Sequence, residues 1–382
     1  MLLQISASRP STVRTVASCL SALLIAVLAV PAPAVAQADQ SLIALPIYQG
    51  RTTNQVFLFD LANGGASRLD DLSDRDEVRL RPLGENLFDT IGRGAGQSAR
   101  VGEMLVGPIR DSGGTTRSAL VVESSAGYPL YFERLGRSGK IGEAITFLGR
   151  PFEGLASPDG NFALLMRRSE SGQTVGATLY HGGSGRAIHI SGVDELKIDP
   201  DLTITEGLPT VTGPITAVPI TFEERSMSYL IIDANGNLLF LDAFGTRLQA
   251  RETNVSIAPS FQAETLQTTP RRFAAVPLQN SDASTVAVLV ADAATGGLGL
   301  IVAGDNDLRR GTPRLQMLPR NLYQALPGGI VDAPRVFEAV AHHSSSGTRG
   351  AWILDSLTRA ILFVERPDDP AAVQIVRPAI QR

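Results

Sequence analysis

The chain of 382 residues is 43% hydrophobic, which is ample for a packed core and excludes an intrinsically disordered protein. Its 38 acidic residues outnumber its 34 basic ones, the formal net charge is −4, and the sequence has no run of basic residues. This balance excludes nucleic-acid binding through phosphate contacts. The one cysteine, Cys19, excludes a disulfide framework.

The N-terminal segment 1–36 has the composition of a secretory signal peptide. It contains no acidic residue, carries two arginines, and has an apolar stretch from Val16 to Val30. Small residues follow, and the A-x-A pattern that precedes cleavage ends at Ala36 or at Ala38. We therefore predict export by a Sec-type signal, a periplasmic or secreted location, and no membrane span after cleavage.

Two other interpretations of this segment stay open. A retained membrane anchor is disfavoured, because Pro31 and Pro33 close an apolar run that is short for a membrane span. A lipoprotein signal ending at Cys19 is disfavoured too, because the apolar residues 20–30 follow that cysteine instead of preceding it. Cleavage removes Cys19, so the mature chain, a single predicted domain over residues 39–382, has no thiol chemistry.

After the signal segment the chain repeats one hairpin unit, which is typical of repeat architectures. The first copy, Gln55–Gly65, is an apolar strand that ends in an aspartate and is followed by a glycine-rich turn. One residue, mostly acidic, ends the corresponding strand of every copy, and we call these residues the anchors. They are Asp60, Glu123, His181, Asp233, Asp292 and Asp355. Their separations of 63, 58, 52, 59 and 63 residues are too regular for unrelated hairpins.

Each anchor is preceded, 14 or 15 residues earlier, by a strand centred on a short motif. In four copies the motif is an apolar or small residue, a proline and an apolar residue. The central positions of the six motifs are Pro46, Pro108, Met166, Pro219, Pro277 and Ala341. Proline lacks the amide hydrogen that a sheet needs, so its recurrence predicts a bulge or kink at the same place in each unit.

A third strand follows each anchor and ends near proline or glycine. Together with the strand after each turn, this makes four strands per unit, and helix periodicity is absent after the signal segment. The sequence therefore predicts an all-β protein, a six-bladed β-propeller of four-stranded antiparallel blades, with seven blades as the alternative. The third strands are 78–82, 145–151, 196–200, 255–259, 315–319 and 373–378.

The two ends of the mature chain favour a closed ring. The chain starts at the proline-motif strand Ser41–Gln49 and ends in a surplus strand of the third kind, Val373–Pro378. We predict that this C-terminal strand completes the first blade and closes the ring, which would remove a free sheet edge.

One blade carries a family resemblance. The stretch from Ala156 to Ser169 contains Ser157-Pro-Asp-Gly160 in front of an apolar strand. It resembles the Ser-Pro-Asp-Gly repeat of TolB-type, WD-like periplasmic β-propellers. The resemblance covers one blade of six, and it implies a propeller fold and a role in the periplasmic envelope.

The anchor carboxylates could form a ring of ligands, but turn formation explains them better. An aspartate at a strand end accepts hydrogen bonds from the amides of the turn that follows it. The loop that begins at Asp233 lacks the glycine and the glutamate of a calcium-binding loop. The four histidines show no metal-ligand spacing. We therefore predict no metal and no cofactor.

The third strands supply the candidate site. We predict that they are the innermost strands of the blades and line the central channel. Four copies place an arginine beside the closing proline, namely Arg81, Arg150, Arg320 and Arg377. In that arrangement the guanidinium groups converge at one channel mouth and bind an anionic ligand or a partner's carboxylates. The alternative is that each arginine pairs with a local acidic residue. His342 and His343, at the end of a strand, are secondary candidates.

These observations favour a monomeric, non-enzymatic binding or scaffold module for an envelope protein or a small anionic ligand. The basic residues are almost all arginine, with only Lys140 and Lys197 as lysines, which is typical of a GC-rich bacterial genome. No nucleophile motif such as G-x-S-x-G occurs, so no catalytic residue is predicted. The alternative is a propeller hydrolase or lyase with its site at the channel mouth, because catalytic residues from different blades leave no local motif.

Overall fold

The structure, a computed structural model, describes residues 42–72, 77–86, 104–123, 128–132, 145–147, 161–192, 202–262, 269, 271–304, 307–329 and 333–381. The strands of these residues form six four-stranded antiparallel sheets, and each sheet takes four consecutive strands of the chain. Neighbouring sheets pack against each other all the way round, including the last against the first. The predicted six-bladed β-propeller is confirmed, and the alternative of seven blades is wrong.

The strands are numbered in chain order, four to a blade. Blade 1 consists of β1 (Leu42–Gln49), β2 (Thr52–Asp60), β3 (Gly65–Asp70) and β4 (Arg79–Asn86). Blade 2 consists of β5 (Met104–Arg110), β6 (Thr116–Glu123), β7 (Tyr128–Phe132) and β8 (Ile145–Phe147). Blade 3 consists of β9 (Phe162–Arg168), β10 (Thr174–His181), β11 (Arg186–Ser191) and β12 (Leu202–Thr205).

The second half of the ring has the same organisation. Blade 4 consists of β13 (Thr216–Phe222), β14 (Arg225–Ile232), β15 (Asn237–Phe244) and β16 (Arg247–Ser256). Blade 5 consists of β17 (Phe273–Gln279), β18 (Thr285–Asp292), β19 (Gly297–Ala303) and β20 (Pro313–Asn321), followed by one helical turn, α1 (Leu322–Ala325). Blade 6 consists of β21 (Phe337–Ser344), β22 (Gly347–Asp355), β23 (Ile361–Glu365) and β24 (Gln374–Val376). Among the described residues no helix has the length and apolarity to cross a membrane.

The first strand of each blade lies at the centre of the ring. Strands β1, β5, β9, β13, β17 and β21 contact one another in sequence, and β21 contacts β1 again. Five of the strands that we predicted to be innermost, 78–82, 145–151, 255–259, 315–319 and 373–378, overlap β4, β8, β16, β20 and β24, and each of these is the fourth and outermost strand of its sheet. The other predicted strand, 196–200, lies outside the described residues. That prediction is wrong. Both kinds of strand are short, alternate in polarity and carry proline, so local pattern does not distinguish the two ends of a blade.

Six apolar clusters lie between the blades and hold the ring together. Each draws its residues from two neighbouring blades; for example, Phe57 and Phe59 of blade 1 pack with Phe132 of blade 2. The cluster that includes Val56 and Trp352 joins blade 1 to blade 6. Burying a large apolar side chain such as phenylalanine or valine stabilises the fold by about 1.5–3 kcal/mol. Packing between blades therefore contributes strongly to closing the ring.

The C-terminal segment contacts blade 1 in a different way from the one predicted. Val373–Pro378 was expected to complete blade 1, but its strand β24 pairs with β23 of blade 6. The chain then continues to Gln381, which forms a parallel bridge with Arg79 on β4. Backbone hydrogen bonds of 2.9 Å join Gln381 to Leu80 and to Val78. The tail therefore covers the outer edge of blade 1, while all four strands of that blade come from residues 42–86.

The anchor aspartates do fix the turns that follow them. The Asp233 carboxylate accepts hydrogen bonds from the amides of Asn235 (2.9 Å) and Asn237 (2.8 Å). Asp60 and Asp292 accept from the amides two residues further on, both at 2.9 Å. Their role as turn residues is confirmed. The Ser157–Gly160 motif, on which the TolB resemblance depends, lies outside the described residues.

Candidate functional site

A bulge recurs in the second strand of every blade, opposite the inner-strand residue that lies two positions after the centre of the proline motif. The register skips one residue of the second strand in each blade, namely Asn54, Arg117, Val175, Met227, Val286 and Arg349. The bulge predicted from the recurring proline is confirmed. The inner-strand residues opposite these bulges, which we call the polar tier, are Tyr48, Arg110, Arg168, Thr221, Gln279 and His343.

A hydroxyl group from the next blade binds the inner strand opposite each bulge. The amide of every polar-tier residue donates to a threonine or serine at the start of the neighbouring blade's second strand, at 2.7–3.0 Å. The pairs are Tyr48 with Thr116, Arg110 with Thr174, Arg168 with Ser226, Thr221 with Thr285, Gln279 with Thr348, and His343 with Thr53. The last pair joins blade 6 to blade 1, so the hydrogen bonds run through the whole ring. The amides released by the bulges are thereby satisfied, and the polar tier has a fixed backbone.

The inner strands enclose a cavity of about 210 Å³ in the central channel. Beyond the polar tier its wall has two apolar tiers. The proline tier is Pro46, Pro108, Met166, Pro219, Pro277 and Ala341, and the alanine tier is Ala44, Val106, Leu164, Ala217, Ala275 and Ala339. Four members of the polar tier, Tyr48, Arg110, Arg168 and His343, line the same cavity. The channel wall therefore carries apolar side chains in the proline and alanine tiers and polar side chains at the end where the first and second strands of each blade are joined. We call this end the hairpin mouth.

Arg110 is a buried cation with a fixed orientation. Its Nε and Nη2 each donate to a backbone carbonyl at 2.7 Å, those of Gly114 and Gly50. Its guanidinium carbon lies 4.6 Å from the centre of the Tyr48 ring, a cation–π contact. Gly114 has a φ of +74°, and a Cβ there would lie 2.7 Å from Nη2, so only glycine fits. Burial, together with the charge of Arg168, lowers the pKa of Arg110 to about 10, so it is still protonated at neutral pH.

Arg168 lines the same cavity from the neighbouring blade. Its amide is held by Ser226 at 2.9 Å, but its guanidinium group makes no hydrogen bond or ion pair within the described part of the chain. Its charge acts on Arg110 and on His343, lowering the pKa of both. Two guanidinium groups thus approach each other at the hairpin mouth, and one of them has donors available for a ligand.

His343 completes this side of the mouth as a neutral imidazole. Burial, Arg168 and Arg110 lower its pKa to about 3. Its Nδ1 lies 2.8 Å from the Thr348 hydroxyl, whose oxygen also accepts the amide of Gln279. Because that oxygen already accepts a hydrogen bond, the Thr348 hydroxyl donates its hydrogen to Nδ1. This favours the tautomer with the proton on Nε2. The imidazole then adds a neutral donor to the two arginines.

An ion pair spans the hairpin mouth. Arg51, in the β1–β2 turn, donates from Nε to Glu224 of blade 4, opposite in the ring, and from Nη1 to the Ser281 carbonyl of blade 5 at 2.9 Å. Glu223 and Glu224 have φ values of +47° and +71°, a left-handed turn that is uncommon for glutamate. The mouth thus combines Arg51, Arg110 and Arg168 with Glu224, a net charge of 3 − 1 = +2 in a chain of net charge −4.

The four arginines predicted from the sequence do not line the channel. Arg81 pairs with Asp70 of its own blade at 3.0 Å. Arg320 donates to the Val373 carbonyl at 3.0 Å, and Arg377 donates to the carbonyl of Ala325. All three lie on or next to the outermost strands, and Arg150 lies outside the described residues. The predicted convergence at the channel is wrong for these three; whether they bind a ligand stays a prediction.

The two secondary candidates have different environments. His343 lines the channel, whereas His342 points into the packing between strands, with its ring edge-on to Trp352 and Phe363. Burial lowers the pKa of His342 to about 4. In the described part of the chain, no three His, Cys, Asp or Glu side chains are grouped closely enough to hold a metal ion.

Arg110 and Arg168 were missed from the sequence, although a positional signal existed. Each lies two residues after the motif position, but the six residues there are of five different types. The hydroxyl residues are easier to find, because each lies seven residues before its anchor and so repeats with the anchor spacing. The position after the motif and the recurring hydroxyl identify channel residues only when the first strand of each blade is known to be innermost.

Comparison with known proteins shows the fold and nothing finer. No family model and no curated protein matches the chain. Among solved structures, AofleA from Arthrobotrys oligospora aligns at 7% identity and a TM-score of 0.51, over 88% of this chain and 86% of that one. A mutant of Aleuria aurantia lectin in complex with alpha-methyl-L-fucoside aligns at 11% identity and 0.47, over 89% and 95%. Apo AztD from Citrobacter koseri aligns at 12% identity and 0.40, over 87% and 84%.

Proposed function

We propose that this propeller is an exported, non-enzymatic binding protein that holds a small anionic ligand at the hairpin mouth of its channel. The observation that carries the proposal is the pair Arg110 and Arg168, brought together from neighbouring blades by equivalent bulges. Like charges so placed repel each other, and an anion between them removes that repulsion while accepting charge-assisted hydrogen bonds.

The electrostatics of the whole chain support selectivity for anions. The mouth is positive although the protein is negative, so an anion is attracted to this place and repelled from most of the surface. Arg110 is preorganised by two carbonyls, so its side chain loses little conformational entropy on binding.

A small molecule fits the site better than a folded protein partner. The cavity is enclosed by six strands, and the pair of Arg51 and Glu224 crosses the opening. An envelope protein could reach the arginines only with a narrow carboxylate-bearing segment. The envelope role implied by the TolB resemblance and the export predicted from residues 1–36 are parts of the same proposal.

The alternative of a hydrolase or lyase has less support. His343 is the imidazole at the mouth, and a base whose pKa is lowered to about 3 removes protons poorly at neutral pH. Its Nδ1 is also engaged by Thr348. The site has donors for an anion, but His343 is a weak candidate for the general base that these reactions need.

The proposal is tested by titrating the purified protein with acetate and following the arginine Nε–Hε signals by NMR. We expect the signals of Arg110 and Arg168 to shift saturably, and the acetate affinity to fall at least about tenfold in Arg168→Gln. Arg320→Gln is the matched control, because it removes an arginine of the outer strand and should leave the affinity unchanged. Acetate binding that persists in Arg168→Gln, or no saturable shift at all, would overturn the proposal.

A further inference from the structure

The side chains of the wall beyond the polar tier offer an occupant an apolar surface. The proline and alanine tiers contribute twelve residues, and none has a polar side chain. The four prolines have no amide hydrogen to donate. A ligand held by the arginines therefore meets a hydrophobic wall as soon as it extends past them.

Three carbonyl groups of the proline tier accept hydrogen bonds from side chains. The Thr174 hydroxyl donates to the carbonyl of Pro108 at 3.4 Å, and Thr53 donates to that of Ala341 at 3.0 Å. The Met166 carbonyl accepts from Tyr229 Oη at 3.2 Å and from the hydroxyl of Ser226 at 3.3 Å. These three carbonyls are less available to water in the channel, which favours the displacement of that water by apolar groups.

The size of the cavity limits the occupant. Cavities of about 150 Å³ with apolar walls accommodate benzene-sized molecules. At about 210 Å³ the channel has room for such a ring, or a short chain, together with a carboxylate at the polar tier. The side chain of Met166 lies against Gly107 of the neighbouring blade, and an unbranched thioether can adjust to ligands of different shape.

We infer that the ligand is a monocarboxylate with a short apolar body. Its carboxylate binds Arg110 and Arg168, and its chain or ring lies inside the channel, surrounded by the proline and alanine tiers. This inference rests on the proposed function and adds the class of ligand. A sulfate or a sugar acid would leave the apolar tiers unused, and a neutral hydrocarbon would leave the arginines unpaired.

Isothermal titration calorimetry with acetate, butyrate, hexanoate and benzoate tests the inference without any substitution. Burial of each methylene group should tighten binding about fourfold, so hexanoate should exceed acetate by more than a hundredfold if the whole chain is buried. Pentylammonium carries the same pentyl chain with the opposite charge and should not bind. Equal affinities for acetate and hexanoate would overturn this inference and leave the proposed function standing. Absence of binding by every carboxylate would overturn both.

A pair of variants locates the apolar body. Ala339→Leu fills part of the alanine tier and should weaken hexanoate at least about tenfold while leaving acetate unchanged, since acetate does not reach that tier. Ala275→Leu, in the neighbouring blade, is the second variant in case the first does not fold. Arg168→Gln should weaken both ligands. Hexanoate affinity that is unaffected by a folded Ala339→Leu or Ala275→Leu protein would contradict the channel position.

Discussion

Arginines lie on both the inner and the outer strands of the blades, and the two sets have opposite surroundings. Arg110 and Arg168, on inner strands, face a cavity that they share, and their charges act on each other. Arg81, Arg320 and Arg377, at the outer strands, are separated around the rim and engage a local carboxylate or carbonyl. Arginine therefore makes local polar contacts at the rim and forms a charged site at the centre.

The difference arises from the geometry of a ring. Six inner strands converge on one axis, so equivalent positions on them lie near each other, whereas equivalent positions on outer strands are far apart. A hydroxyl of the next blade binds the amide of each polar-tier residue and fixes the backbone from which its side chain projects at the mouth. A residue gains functional neighbours here through its place in the blade more than through its local sequence.

The largest expected difference between the inner strands and the rim is their contribution to the loss of stability in acid. His343 and His342 are held neutral in the folded protein, with pKa values lowered to about 3 and about 4, while the unfolded chain takes up protons near 6.5. Stability is therefore complete above pH 6.5 and is lost as the pH falls toward these lowered values. At pH 5 the loss is about 2 kcal/mol for each such histidine.

Urea unfolding at pH 8 and at pH 5 measures this loss. His343→Gln should retain more of its pH 8 stability at pH 5 than the unmodified protein does, by about 2 kcal/mol. Arg81→Gln, at the rim, should show the unmodified pH dependence. An identical acid response in His343→Gln would mean that this imidazole is protonated in the folded state, which contradicts its environment as described.

The hydroxyl groups at the bulges should have the next largest effect. Thr174 is completely buried and bonds both the Arg110 amide and the Pro108 carbonyl. Thr174→Val leaves both groups without a partner and should lower the free energy of unfolding by about 1–3 kcal/mol. Thr174→Ser keeps the hydroxyl and should lower the free energy of unfolding by less than Thr174→Val does.

A rim contact provides the comparison for that measurement. The side chain of Arg81 is 53% exposed in its pair with Asp70, so Arg81→Gln should change stability by less than about 1 kcal/mol. If Thr174→Val cost no more than Arg81→Gln, the inner hydrogen bonds would not be what fixes the mouth.

The smallest predicted effect concerns the acidic residue at the mouth. Glu224 lies near Arg110 and pairs with Arg51, so it repels an incoming carboxylate. Glycine at position 172 makes room for it, because a Cβ there would lie 2.0 Å from Oε2. Glu224→Gln should raise hexanoate affinity about two- to threefold at low ionic strength, and less in high salt.

Glu170→Gln is the control for this substitution. Glu170 also lies in a hairpin turn and pairs with an arginine, Arg225, but it is exposed and does not line the cavity. It should leave the affinity unchanged. A lower affinity in Glu224→Gln would show that this carboxylate positions Arg51 for the ligand instead of competing with it.

The fold was largely predictable, because a repeat shows its period in the sequence. Six anchors at regular spacing predicted six blades, and a recurring proline predicted the bulges. The order of strands from centre to rim was not predictable. It depends on which strands pack between blades, and the two candidate strands have the same local pattern.

The site was missed for the same reason. With the third strand as the expected inner strand, the sequence indicates Arg81, Arg320 and Arg377 as channel residues and not Arg110 and Arg168. His343 was found as a histidine near a strand end, without the arginines beside it. Its neighbours come from positions about 175 to 233 residues away in the chain, and only the closed ring brings them together.

The most direct test of the account is a crystal structure of the protein with 6-bromohexanoate, in which anomalous scattering locates the bromine. We expect the carboxylate to bind Arg110 and Arg168 and the bromine to lie inside the channel, surrounded by the proline and alanine tiers. An empty channel with the ligand bound at Arg81, Arg320 or Arg377 would contradict it.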